Sequence, residues 1–331
     1  MEGSGDEMTP GDFEHKNSQR WLEYERLVAG LESGKPNEHA DQLPRRFREL
    51  CIDLSLVESR MYGDRLHERL NGLVIRGYNV IYRGKRGGFE HAVSFVTWRF
   101  PCAVRREWRL FLLCSLVFWL PFFAMILSAK HDMSWIQSVL GPAGMASMEQ
   151  MYGGKEQQIA HLRSEYGSNF MMFCFYIYNN VGIDFRIFAG GMAAGVGTLF
   201  FLLFNGVYMG AAAGYVNQVG NPESFWTFVI GHSSFELLGM IVAGMAGMRV
   251  GLAILNPGRL PRVRALVEAT KRSLPLIYGA AVMTAMAAVV EGFWSAQEIP
   301  SNIKYGVGAT GWVLVSAYLL LVGRNRGYEV G

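Results

Sequence analysis

The charges of this chain are crowded into its first third, and that asymmetry limits the fold more than any single motif. Residues 1–107 hold 17 of the 31 Lys and Arg and 17 of the 28 Asp and Glu. From residue 169 to 256 the only charged side chains are Asp184, Arg186, Glu223, Glu236 and Arg249. The averages over 331 residues, 18% charged and a mean hydropathy of +0.15, therefore blend a polar domain with a membrane domain. A single soluble globule, a disordered chain and a disulfide scaffold are excluded. A net charge of +3 is too small to point to a nucleic-acid partner. Cys51, Cys102, Cys114 and Cys174 share no CxxC spacing, and none reads as a disulfide or zinc ligand. Residues 1–12 are acidic and Gly-rich without an apolar core, so no cleavable signal peptide is expected.

A membrane crossing needs about 20 mainly apolar residues. Six stretches read as crossings: 108–128, 169–184, 187–208, 225–251, 274–294 and 305–323. The second is short and ends in two Asn, which suits a broken or half-depth segment. Basic residues test the count, because cytoplasmic loops collect Lys and Arg. With the N-terminus inside, the inner segments hold seventeen basic residues before residue 108, then Arg186, then Arg249, Arg259, Arg262, Arg264, Lys271 and Arg272, then Arg324 and Arg326. The outer segments hold Lys130, Lys155, Arg163 and Lys304. Both termini are therefore expected in the cytoplasm, and deleting the second crossing would put the basic stretch 256–272 outside.

The expected fold is all-α, a polytopic membrane protein of about six transmembrane helices behind an N-terminal cytoplasmic helical domain. Residues 1–16 read as a disordered tail, 17–88 as the helical domain, 89–107 as an elbow helix, 108–323 as the transmembrane domain and 324–331 as a cytoplasmic tail. Trp21, Tyr24, Leu27, Val28 and Leu31 follow helical spacing, as do Leu50, Leu54, Val57 and Met61, then Leu66, Leu70, Leu73, Gly77 and Val80. Gly34 to Pro36 should break the first helix, and the RGKRGG run at 83–88 should end the third near the membrane. In the elbow, Phe89, Val93, Val96 and Phe100 share a side with Trp98 nearby. Pro101, Arg105 and Arg106 follow, which suits a helix lying in the inner interface. An ordinary core helix is the alternative.

An ionisable group inside a membrane costs at least a few kcal/mol, so it needs a partner or a task. His232 and Glu236 are four apart, hence on one helix face with Gly239, Ala243 and Gly247. The pair could simply pin two helices together. It could relay protons, or lend two ligands to a metal, or serve hydrolysis. HxxxE without a third ligand is weak, so neither a metal nor another cofactor is expected. Asn179, Asn180, Asp184 and Arg186 form a second polar group. The two amides suggest a helix break at membrane depth, with Asp184 and Arg186 at the inner surface. Glu291 reads as an interfacial residue at the outer end of the fifth span.

Glycines recur at helical spacing. Gly191, Gly195 and Asn205 share one face, while Gly206, Gly210, Gly214, Gly239, Gly247 and Gly251 extend the small-residue pattern. Such faces serve tight packing within the chain or homodimerisation. No Walker motif, dinucleotide fingerprint or soluble catalytic set is present.

Four segments resemble the SpoIIM family, the stage II sporulation protein M-like membrane proteins. They are LNGLVIRGYNVIYRG at 70–84, FYIYNNVGIDFRIFAGGMAAGVGT at 175–198, FNGVYMGAAAGY at 204–215 and GHSSFELLGMIVAGMAGMRVG at 231–251. The family signature often reads His-Gly before the Glu, whereas Ser233 follows His232 here. By this resemblance Asn179, Asn180, Gly191, Asn205, Gly206, His232, Glu236 and Gly247 carry the family pattern. The resemblance implies a multi-pass protein of the bacterial inner membrane without catalysis of its own. It further implies a scaffold that anchors an envelope-remodelling or regulatory complex. Its partners would be the lipid bilayer, a second copy of the chain, and membrane or periplasmic proteins such as peptidoglycan hydrolases or a MoxR-type ATPase system. The alternative is a transporter or channel subunit, akin to an ABC-exporter permease, with a polar path near His232 and Glu236. An intramembrane enzyme is the third reading.

Overall fold

The computed structural model describes residues 9–33, 39–82, 88–154 and 164–324. The expected helix break at 34–36, the basic run at 83–87, Lys155, Arg163 and most of the C-terminal tail lie outside them. Two compact units divide the chain, Met1–His91 and Ala92–Gly331. Among the described residues all regular structure is helical.

In the N-terminal unit, α1 (Pro10–Glu32), α2 (Leu43–Ser59) and α3 (Asp64–Tyr82) enclose one core. Trp21, Tyr24 and Val28 of α1 meet Leu50 and Val57 of α2 and Leu70 of α3, all at helical spacing. The first helix starts at Pro10 rather than at Asn17. The Thr9 side chain accepts a hydrogen bond from the Asp12 N–H, and Pro10 supplies a first helical residue that needs no donor. Part of the expected tail is thus helix. Met61 does not join the buried face: α2 ends at Ser59, and Met61 follows with φ 51°, 88% exposed.

The elbow is built from α4 (Gly88–Ser94), a π-helical turn at Phe95–Arg99 and α5 (Phe100–Arg106). Glu107 turns the chain into α6 (Trp108–Ser128). Phe89, Val93 and Val96 are exposed, and Trp98 is half-buried. Phe100 is not on that outer face. Its ring is buried, stacked on Phe95 and set against Gly279. Arg105 Nη1 donates to the Leu319 carbonyl at 2.8 Å, and Arg106 lies 3.7 Å from Glu107, which also pairs with Arg249.

Residues 129–168, read as an outer loop, contain α7 (Ser134–Tyr152), kinked at Gly141 (φ 65°) before Pro142. Its Ile136 and Leu140 pack with Ala211, Ala212 and Tyr215. Then come α8 (Asn169–Tyr176), a π-helical turn at Ile177–Val181 and α9 (Gly182–Ala189). Helix α10 (Val196–Gln218) begins only after Gly195, which takes a left-handed φ of 85°. The third stretch therefore runs later than the expected 187–208, because residues 187–189 finish α9. Helix α11 (Pro222–Leu255), α12 (Arg262–Val290) with a π-helical turn at Glu291–Ser295, and α13 (Ser301–Leu321) complete the unit.

Five of these helices are long and apolar enough to cross a membrane: α6, α10, α11, α12 with its π turn, and α13. The run 169–189 falls below that apolarity, although it is helical throughout and about 30 Å long at 1.5 Å per residue. Helix α11 is central, with 78% of its apolar window buried. Glycines allow that burial. A Cβ on Gly191 would lie 2.2 Å from the Gly247 carbonyl oxygen, and one on Gly251 2.3 Å from the Gly195 nitrogen. Gly206 and Gly210 lie against the backbone of Phe118 and Phe122 in α6, Gly214 against Ala129, and Gly239 against Thr284. Each of these close contacts is made within the chain.

Candidate functional site

Helix α11 carries His232 and Glu236 on one face, as their spacing requires. His232 is 3% exposed, with its ring edge-on to Phe228. Its Nε2 lies 3.6 Å from Glu236 Oε2. Its other nitrogen, Nδ1, is 3.2 Å from Ser295 Oγ. Ser295 comes from the π turn that ends α12, and the same turn supplies Glu291. Glu291 is 6% exposed, and its Oε1 lies 3.8 Å from His232 Nε2. Glu291, expected as an interfacial residue at the end of this helix, is buried against α11 rather than exposed. A π turn adds a residue to the helical turn and redirects its side chains, here inward towards α11.

The second π turn brings the amides to the same place. Asn180 Nδ2 lies 3.4 Å from Glu291 Oε2 as its donor. Asn179 Nδ2 donates to Asn180 Oδ1 at 2.7 Å. Gly292 lets the two segments approach, since a Cβ there would stand 3.0 Å from the Phe173 backbone. On the far side of Ser295, Lys304 Nζ donates to the Ser295 carbonyl at 2.6 Å. The regular helix gives way to a π turn at Asn179 and Asn180, as expected of a break, but the Asn180 amide meets the Glu291 carboxyl and Asn179 bonds Asn180.

His232, Glu236 and Glu291 line a cavity of about 510 Å³. Its walls are largely aromatic, with Trp119, Phe122, Tyr152, Phe225 and Trp312 contributed by α6, α7, α11 and α13. One imidazole nitrogen and two carboxylates, all within 4.8 Å of one another, form the polar end. The sequence pattern joined only two of these three groups, and Glu291 is the third.

Other candidates lie elsewhere. Asp184, expected at the inner surface, is buried within the protein: it is 1% exposed and accepts a 2.6 Å hydrogen bond from Thr284 Oγ1. Arg186, two residues on, is exposed. Asn205 donates to the Phe201 carbonyl of its own helix at 2.8 Å and takes no part in the cluster. Ser233, where the family signature often has Gly, accepts a hydrogen bond from Trp312 Nε1 at 3.0 Å. Ser295 was missed by sequence reasoning, which had no pattern to mark it.

A family model described as Stage II sporulation protein M matches residues 111–296. The chain belongs to this family. The SpoIIM match takes in His232, Glu236, Glu291, Ser295 and Asn180, while Lys304 lies beyond it. A separate model, of a domain of unknown function (DUF8413), matches residues 11–83, within the N-terminal unit. An uncharacterized protein of Methanocaldococcus jannaschii is 29% identical over 73 residues, which is 22% of this chain and 41% of that protein. The similarity thus spans less than half the length of this curated relative. No solved structure matches.

Proposed function

We propose that this SpoIIM-family chain is a transport or channel subunit that admits a small cation to the cavity ending at His232, Glu236 and Glu291. One observation carries the reading: two carboxylates from different segments converge on one imidazole at the polar end of a cavity. A pin between α11 and the π turn would need only the contact of His232 with Ser295, and a second buried carboxylate adds a cost of a few kcal/mol. Both imidazole–carboxylate distances exceed hydrogen-bond length, which leaves a gap for a positively charged guest. The Lys and Arg distribution supports an inner-membrane orientation with both termini cytoplasmic and the run 169–189 as a sixth crossing.

The test is cation flux in proteoliposomes. Glu236→Gln and Glu291→Gln should each abolish it while the protein still assembles; unchanged flux would sink the idea. A scaffold that recruits envelope-remodelling partners is the second reading. Family membership supports it, together with the charged N-terminal unit as a docking surface. A scaffold would keep partner recovery in both variants.

A further inference from the structure

We infer that the cluster is a site for one divalent transition-metal cation, held by His232 Nε2 and one carboxylate oxygen each from Glu236 and Glu291. The inference shares with the proposed function only the choice of this cluster as the binding site.

Geometry comes first. A tetrahedral ion with ligand bonds of about 2.1 Å has ligand–ligand edges of about 3.4 Å. The two imidazole–carboxylate separations, 3.6 and 3.8 Å, are close to that edge. They are too long for hydrogen bonds, and the carboxylate oxygens lie within 4.8 Å of one another, so one ion could be shared by all three groups.

The surrounding contacts match what a metal site requires. A ligating imidazole is oriented through its other nitrogen, and ligating carboxylates are themselves hydrogen-bonded. His232 meets Ser295 Oγ through Nδ1, which leaves Nε2 to face the carboxylates. The Glu291 oxygen turned away from His232 is the one near the Asn180 amide. Asn180 is fixed in turn by Asn179.

Charge supplies a separate reason. Glu236 and Glu291 place two carboxyl groups within reach of one imidazole where solvent is scarce, and each becomes an anionic ligand when a cation displaces its proton. Lys304 brings one positive charge to the same π turn, where its ammonium donates to the Ser295 carbonyl. Asp184 adds a further carboxylate deeper in the unit, bonded to Thr284. Once both carboxyls are ionised as ligands, a divalent cation offsets their two charges, whereas a monovalent one offsets only one. The imidazole selects among divalent cations. Hard ions such as Mg²⁺ and Ca²⁺ prefer all-oxygen shells, whereas a mixed nitrogen–oxygen set suits Zn²⁺, Mn²⁺, Fe²⁺ or Co²⁺. The fourth position faces the cavity, where water can complete the shell.

The test uses the full chain in nanodiscs, stripped with chelator and titrated with Co²⁺ and Zn²⁺. One equivalent should be retained, and Co²⁺ should give the visible absorption of a low-coordinate nitrogen–oxygen site. Glu291→Gln and His232→Gln should weaken retention at least 100-fold, and Asn180→Ala, which removes only the orienting amide, about 10-fold. X-ray absorption of the Zn²⁺-loaded wild type checks the same claim without any variant, and should show one imidazole and only nitrogen or oxygen neighbours. Sulfur in the shell, absence of retained metal in the folded protein, or retention unchanged by both substitutions would overturn the inference. Tight uptake of an organic cation with no metal retained would likewise overturn it, and would leave the proposed transport role standing. Metal retention without flux would remove the transport role and leave the site.

Discussion

Glu291 Oε1 sits 3.8 Å from His232 Nε2, although the two residues belong to different helical segments and only one of them stood out in the sequence. That proximity sets two carboxylates against one imidazole at the end of a cavity. Without a bound cation the arrangement buries two acidic groups beside one imidazole, a costly placement in either protonation state, so function and stability should oppose one another here. Glu291→Gln keeps the Asn180 contact and removes one acidic group. In the absence of added metal it should raise the unfolding free energy by roughly 1–3 kcal/mol. Thermal unfolding in nanodiscs checks this. Added Zn²⁺ should stabilise the wild type, by mass action on the folded state, and leave the variant unmoved.

The glycine contacts predict where small changes are ruinous. A methyl on Gly191 would press into the Gly247 backbone at 2.2 Å, and backbone cannot yield as a flexible side chain can. Gly191→Ala should therefore cost about 1–3 kcal/mol by overpacking. Gly306, where an added methyl would meet nothing within 4 Å, is the control: Gly306→Ala should be neutral or stabilising by up to about 1 kcal/mol. If Gly191→Ala instead left monomer stability intact and only dissociated a dimer, this face would serve a second copy.

Asp184 relies on a single hydroxyl donor. Thr284→Val preserves shape and removes the 2.6 Å bond to its carboxylate. The loss should be about 1–3 kcal/mol. Thr284→Ser, which keeps the hydroxyl, should recover most of it, and the two melting curves decide the matter.

In the N-terminal unit the Tyr24 hydroxyl is buried without a hydrogen-bond partner and points at Gly77, where a Cβ would fall 1.6 Å from it. Burial pushes this phenol up to about 12. The neutral form is therefore favoured by folding. Its contribution is complete below the ordinary tyrosine value of about 10 and is lost as pH rises from there towards 12. Denaturant titrations of the full chain across that window should show a steeper stability loss in the wild type than in Tyr24→Phe. At neutral pH Tyr24→Phe should be neutral or stabilising, because it removes an unsatisfied polar group. Gly77→Ala should destabilise the wild type more than it destabilises Tyr24→Phe.

How much of this was legible follows the physics of each signal. The three faces of the N-terminal unit were readable because a polar bundle leaves its core as the apolar minority. His232 and Glu236 were readable because two ionisable groups at one helical spacing stand out in an apolar run. Asp184 was misplaced because Arg186 nearby suggested a surface. Residues two apart point to opposite sides of a helix, so one can be buried while the other is exposed. Glu291 was misplaced because its partner lies on another helix and its inward turn depends on a π-helical step that no local pattern marks. Helix α7 was missed because it is neither charged enough to read as amphipathic nor apolar enough to read as a crossing. The third stretch was placed too early because its start is set by the left-handed turn at Gly195, and apolar composition alone does not show it.

The central claim is that the cavity leads a cation to the His232, Glu236 and Glu291 cluster. Divalent-cation uptake into proteoliposomes, compared between wild type and Glu291→Gln at equal reconstituted amounts, tests it most directly. The account predicts saturable uptake in the wild type and uptake at the level of empty vesicles in the variant. Equal uptake in both, with the variant shown to be folded, would contradict it.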